Sequence, residues 1–91
     1  MRWWHSVQTL FKRPTPSFRL MNGADAPQAT ALHAASFARG WTEVEISRLI
    51  TDPNVEANAL VSQQQLAGFI LTRIAADEAA VLTIAVDPGW R

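Results

Sequence analysis

The run Glu78 to Val86, EAAVLTIAV, is apolar on both faces apart from Thr83, and it constrains the fold more than any other stretch of the chain. Successive strand residues point to opposite sides, so Val81, Leu82, Ile84, Ala85 and Val86 together ask for cover on both. Such a strand belongs in the middle of a sheet or under a helix. Asp87-Pro88-Gly89 stops it. Two further apolar runs precede it: Leu66 to Ile74, joined to it through the tip Ala75-Ala76-Asp77, and Ala59 to Ser62, joined to the former through the polar tip Gln63-Gln64-Gln65. These read as consecutive hairpin strands.

The first half of the domain has a different period. Ser17 to Met21 alternates polar and apolar, predicting a short strand with Phe18 and Leu20 on its buried face and Asn22-Gly23 as the turn that closes it. Asp25, followed by Pro27 and Gln28, resembles an N-cap with its reciprocal partner, opening an alanine-rich helix that runs to about Arg39 with Leu32 and Phe37 as its only large apolar side chains. Gly40 is expected to stop that helix through its freedom to take positive φ. Trp41 then precedes T-x-x-E at Thr42 to Glu45, a capping box, with Ile46, Leu49 and Ile50 at helical spacing, which predicts a second helix at 42–51 ended by Asp52-Pro53-Asn54. The order strand, helix, helix, strand, strand, strand gives an α+β fold: an antiparallel sheet of about four strands with two helices after the first strand. Two modest helices are too few to cover both faces of the strand ending at Val86.

Composition narrows the function. The chain has 91 residues, eight basic and eight acidic side chains, no cysteine and no tyrosine. That length fits one small domain. A net charge of zero provides no field for nucleic acid, so no direct nucleic-acid partner is expected. Without cysteine there is no disulfide, thiolate zinc site or cysteine nucleophile, and a cytoplasmic location is expected. Nor can a phenol act as proton donor. Residues 1–16 read as an N-terminal extension before a domain at 17–91. Met1 to Arg13 lacks a signal-peptide core, and no run approaches a membrane span. Trp3, Trp4, Val7, Leu10 and Phe11 fall on one helical face. A short amphipathic helix touching a membrane interface or partner, or simply packing on the domain, would show this pattern. Pro14-Thr15-Pro16 then favours an extended linker.

Chemistry-bearing motifs are few. His5 and His33 are far apart and unsupported by cysteine, so no metal site is expected. His33, on the alanine-rich helix, reads as a structural or surface residue, with proton handling at an acceptor site as the alternative. Glu43 and Glu45 lie in a first helical turn, where capping is the default role; Asp77 and Glu78 sit at a hairpin tip, with a polar or catalytic role for Glu78 as the alternative. No Ser/His/Asp arrangement and no glycine-rich phosphate loop occurs.

Two segments remain, FARGWT at 37–42 and DEAAVLTIAVDPGWR at 77–91. They resemble the GCN5-related N-acetyltransferase (GNAT) superfamily, and within it the bacterial ribosomal-protein-alanine N-acetyltransferases, over about residues 17–91. The resemblance implies a strand at Leu82 to Val86 whose positions Ile84, Ala85 and Val86 offer backbone groups to the pantetheine arm and acetyl carbonyl of acetyl-CoA. It implies that Phe37, Gly40, Trp41 and Thr42 line the entry of the acceptor, a protein or peptide N-terminus such as that of a ribosomal protein. Core packing of the strand and of Trp41 is the alternative for both. Arg91 matches the first position of the family pattern Q/R-x-x-G-x-G/A, which binds the cofactor pyrophosphate. The rest of that pattern, a covering helix, the general-base glutamate and the general-acid tyrosine lie further along in the family. The resemblance therefore implies the N-terminal portion of a GNAT domain, with no catalytic residue of its own and little or no activity alone. A noncatalytic interaction module, self-associating through an uncovered sheet, is the reading from a different class; an incomplete gene product is a third.

Overall fold

The computed structural model describes residues 16–37 and 39–90. The amphipathic segment Trp3 to Phe11 and the Arg91 position lie outside them. In chain order the elements are β1 (Ser17–Leu20), a 3-10 turn (Gly23–Asp25), α1 (Ala26–Ser36), α2 (Glu43–Ile50), β2 (Val55–Ser62), β3 (Gln65–Ala75), β4 (Glu78–Val86) and a second 3-10 turn (Pro88–Trp90). The four strands form one antiparallel sheet in the order β1-β2-β3-β4. This is the α+β architecture expected from the sequence.

Local chemistry accounts for most boundaries. The Thr42 side chain accepts from Glu45 N–H and the Glu45 carboxylate accepts from Thr42 N–H, so the T-x-x-E box caps α2. The other cap differs from expectation. Asn22 and Asp25 form a capping box on the 3-10 turn, and Asp25, at the N-cap of α1, makes no cap bond there. Its carboxylate is taken by Arg19 and by Asn22 N–H, while Gln28 Oε1 accepts from Leu66 N–H at 2.9 Å and so ties α1 to the start of β3. The helix also ends at Ser36, before Arg39, and β2 starts at Val55 rather than Ala59.

The core lies between the helices and one face of the sheet. Ala26, Ala29 and Leu32 from α1 and Ile46 and Ile50 from α2 pack on Val55, Ala57, Ala59, Phe69, Leu71 and Ala85. Ala29, Ile46, Ala59 and Leu71 are fully buried. Small residues at the contact let the alanine-rich α1, whose one large apolar side chain is Leu32, sit close to the sheet.

Sheet register decides what lies opposite. Phe18 pairs with Leu60, and Leu20 with Asn58, so Phe18 and Leu20 occupy the face away from the helices, 78% and 67% exposed. The expectation that they are buried is corrected. The inward positions of β1 are Ser17 and Arg19, and Arg19 is accommodated at the sheet margin because its guanidinium reaches Asp25. The row Leu20, Asn58, Ile70, Ile84 and the row Phe18, Leu60, Gly68, Val86 run side by side across this face. Ile74, Val81 and Ile84 are also exposed on it. Of the two settings expected for the Glu78–Val86 strand, mid-sheet or under a helix, the second holds on one face: among the described residues β4 is an edge strand with helix on one side only.

Two irregularities shape β3 and β4. The β2–β3 register shifts between Leu60 and Val61, and the β3–β4 register shifts between Leu71 and Thr72, where Thr83 and Val81 are the successive partners. Leu82 is the extra residue of that bulge and packs toward the core.

Candidate functional site

The candidate site has two parts, the corner between α1 and α2 and the outer edge of β4. α1 connects them, because it packs on β3 and β4 and its C-terminal end opens into the corner.

In the corner, Phe37 caps α1 in extended conformation with its N–H bonded to His33 O at 3.1 Å. The chain then folds back over the helix. Gly40 marks the tightest approach: a Cβ placed there would stand 3.0 Å from Ala34 Cα and 3.2 Å from Ala34 Cβ. No described glycine has positive φ, so the reason expected for Gly40 is corrected: lack of space requires glycine here, not backbone handedness. The fold-back sets Trp41 N–H on His33 Nδ1 at 3.2 Å. The His33 ring stacks on Phe37, with centroids 4.3 Å apart at 23°, and on Trp41, with centroids 4.8 Å apart at 24°. Phe37 is exposed, Trp41 half-buried and packed against the core, and Thr42 exposed and engaged as the α2 cap. Phe37, Gly40, Trp41 and Thr42 thus follow one another through this corner, with the His33 ring stacked on both Phe37 and Trp41.

His33 reads from sequence as a structural or surface residue, or one handling protons at an acceptor site; what sequence reasoning missed is its stacking on Phe37 and Trp41. Its helical spacing of four from Phe37 was the available signal; its pairing with Trp41 depends on the fold-back at Gly40. Burial holds the His33 imidazole below its ordinary pKa, against a smaller opposite pull from the Glu45 carboxylate. Glu45 itself is held below the usual carboxylate range, chiefly by the hydrogen bond from Thr42 N–H and then by the Thr42 hydroxyl.

At β4, Asp87 N–H donates to Ala67 O at 2.7 Å, so Asp87 turns its backbone toward β3. Alternation along an antiparallel strand then turns Ala85 toward β3 as well and Ile84 to the outer edge. The Ile84 side chain lies on the open face, 52% exposed, whereas the Ala85 methyl is buried against the helix side and Val86 is half-buried. Of the strand positions singled out, Ile84 and, by the same alternation, Val86 turn their backbone to the outer side, and Ala85 supplies a small, close-packed support. Gly68 stands beside them, where a Cβ would come within 3.0 Å of Ala85 O. Glu78 and Asp77 are exposed at the hairpin tip. Among the described residues no group of three or more His, Cys, Asp or Glu side chains could hold a metal ion, and no helix is long and apolar enough to cross a membrane.

This arrangement, an open-edged antiparallel sheet backed by two helices that follow its first strand, is shared with part of several solved N-acetyltransferases. The chain matches the ribosomal-protein-alanine N-acetyltransferase of Escherichia coli with a TM-score of 0.76 at 24% identity, over 84% of this chain and 48% of that one. It matches Arabidopsis thaliana NAA60, solved in complex with a bisubstrate analogue, with a TM-score of 0.72 at 17% identity, over 85% and 57%. An aminoglycoside acetyltransferase from a soil metagenome, in complex with sisomicin, follows the same path with a TM-score of 0.66 at 16% identity, over 85% and 59%. The chain thus spans about half the length of these solved structures. No family model matches it, and no curated protein does.

Proposed function

We propose that this chain carries the cofactor strand and the acceptor corner of an acetyl-CoA-dependent protein N-alpha-acetyltransferase. The observation that carries the reading is the outward-turned backbone of Ile84 on an edge strand backed by the same helix that ends in the aromatic corner. The pantetheine arm of acetyl-CoA contains two amides and can lie along such an edge as an added strand does. A backbone N–H on a rigid strand is suited to a thioester carbonyl, whose oxygen gains negative charge as an amine attacks. In that reaction the amine lone pair forms the new C–N bond, the C–S bond breaks, and the amine proton is passed on while the CoA thiolate is protonated. Phe37, Gly40, Trp41 and Thr42 line the acceptor. Arg91 is assigned to the cofactor pyrophosphate.

The acceptor in this reading is a peptide or protein α-amine, a ribosomal protein in the cytoplasm being the model case. One of the similar structures supports it by name, as an N-acetyltransferase for ribosomal-protein alanine. The sisomicin complex shows that the fold alone does not fix the acceptor. The 91 residues contain no tyrosine, and no acid or base accompanies Ile84 among the outward-facing residues of β4. The isolated chain is therefore assigned weak acetyl-CoA binding and no turnover. Thermal-shift titration with acetyl-CoA and an acetylation assay on an alanine-initiated peptide test this: a small upward shift without product is expected, and turnover would overturn the assignment of inactivity. An Ile84→Pro variant that kept the whole acetyl-CoA shift would overturn the strand-edge reading.

A second reading rests on the open sheet face. Phe18, Leu20, Ile74, Val81 and Ile84 are each 40% exposed or more on one face, an apolar grouping of the kind found at association surfaces. Two copies of the chain placing these faces together would form a noncatalytic module. Light scattering across a dilution series decides it: a monomer at high micromolar concentration excludes that dimer.

A further inference from the structure

Among the described residues His33 is the only buried side chain that titrates, and the acyl transfer set out above makes no use of it. It lies in the last turn of α1. Its Nδ1 accepts from Trp41 N–H at 3.2 Å, so in this arrangement Nδ1 is unprotonated and the proton is on Nε2. Two aromatic rings stack on it at near-parallel angles. One face of an imidazole has room for a single ring, so Phe37 and Trp41 take opposite faces. Three of the four corner positions thereby depend on one side chain: Phe37 and Trp41 by stacking, and Gly40 because the fold-back it permits is tied down at the next residue.

We propose that His33, as neutral imidazole, is a positioning residue that sets the shape of the corner between α1 and α2, and that protonation of Nδ1 releases that corner. The proposal rests on the acceptor-corner reading for its functional meaning, but its geometry does not. A protonated Nδ1 would place two donors against each other at 3.2 Å and leave the partly buried Trp41 amide without its acceptor. Among the described residues the charges that act on it are few. Glu45 of α2 acts on His33, and Arg39 and Arg48 act on Glu45 rather than on the imidazole. The sheet beneath α1 presents buried Phe69, Leu71, Thr83 and Ala85, and Arg73 at its exposed end. Desolvation outweighs Glu45, so the ring stays neutral until the pH falls below the ordinary imidazole range.

The test follows backbone amides of the intact 91-residue chain by nitrogen-15 NMR from pH 7.5 to 4.5. The Trp41, Gly40 and Phe37 amides are expected to move in one common titration with a midpoint below that of an ordinary histidine, and Trp41 exchange protection is expected to fall about tenfold across it. His33→Phe keeps a ring for the stack and removes the acceptor; it is expected to abolish both the titration and the protection. His33→Asn, whose side-chain oxygen can stand near the place of Nδ1, is expected to restore protection without titration. Equal Trp41 protection in His33→Phe, or a corner titration that persists in it, overturns the proposal. Should that variant fail to fold, the wild-type titration decides alone, and a Trp41 amide indifferent to pH overturns it. An alanine-initiated peptide added at pH 7.5 separates the two ideas. Shifts at Gly40 and Trp41 that disappear at low pH support the positioning role at an acceptor site. Absence of shifts at either pH removes the acceptor reading and leaves the His33 geometry standing on its own measurements.

Discussion

Arg19 grips Asp25 with both guanidinium ends: Nη1 and Nη2 donate to the two carboxylate oxygens at 2.7 and 2.8 Å. The pair joins the sheet's edge strand to the turn that starts α1, and Asp25 also accepts from Asn22 N–H. A residue on the helix side of a sheet would ordinarily be apolar. Here the ion pair lets an arginine take that place, which is why β1 turns Phe18 and Leu20 the other way.

That pair has a signed pH dependence. Arg19 first, and Asn22 N–H after it, hold Asp25 below its usual carboxylate range against burial, which acts the other way. A depressed folded-state value means the stabilisation is present above the unfolded-state pKa and is lost as pH falls through the folded one. Because Arg19 is 45% exposed, the contribution is about 1 kcal/mol or less after solvent screening. Unfolding free energies from urea denaturation at pH 6 and pH 3 are expected to differ less in Asp25→Asn than in wild type by that amount.

The two faces of the sheet should answer truncation differently. Leu71 is fully buried against the helices, and Leu71→Ala is expected to cost about 3 kcal/mol. Ile84 is 52% exposed on the opposite face, so Ile84→Ala is expected to cost less than about 0.5 kcal/mol in a dilute monomer. Chemical denaturation of both variants checks this; an equal cost would show that the outer face is covered in solution.

Gly40→Ala tests the close approach in the corner. With Ala34 Cα 3.0 Å from the added carbon, helix or loop backbone must move, and a loss of about 1–2 kcal/mol is expected. The same substitution at Gly23, where a Cβ meets nothing within 4 Å, is expected to be neutral within about 0.5 kcal/mol. Thermal melts of the two variants side by side give the comparison.

The β2–β3 turn can be improved. Gln63 and Gln64 hold φ of 53° and 66°, a region that costs an ordinary side chain about 1 kcal/mol per residue. Asn-Gly suits two consecutive positive φ values in a tight hairpin. Gln63→Asn with Gln64→Gly is expected to raise stability by about 1 kcal/mol, part of the relief being offset by the entropy of the new glycine. An unchanged urea midpoint would count against the turn geometry.

Readings that rest on neighbours within one turn or one strand were legible in advance. The Thr42–Glu45 box appears as written, and β4 runs from Glu78 to Val86 as its pattern indicated. Cap bonds and strand alternation depend on residues a few positions apart, so the sequence carries them directly. The α1 cap was misread for the same reason in reverse: Asp25 had a better partner in Arg19, and Gln28 in the Leu66 amide 38 residues away.

By itself, then, the sequence determined the order of elements, the α2 cap, the hairpins and the shortage of cover around the Glu78–Val86 run. Which face of β1 looks inward, the edge position of β4, the steric demand at Gly40 and the joining of His33 to Trp41 were decided only by tertiary structure. Each of these depends on segments that meet in space after the chain has turned back. A shift of one residue in strand register exchanges the two faces of a strand, and the pattern Ser-Phe-Arg-Leu, read alone, assigns its large apolar side chains to the core. The Arg19–Asp25 pair and the pairing with β2 place them on the opposite face.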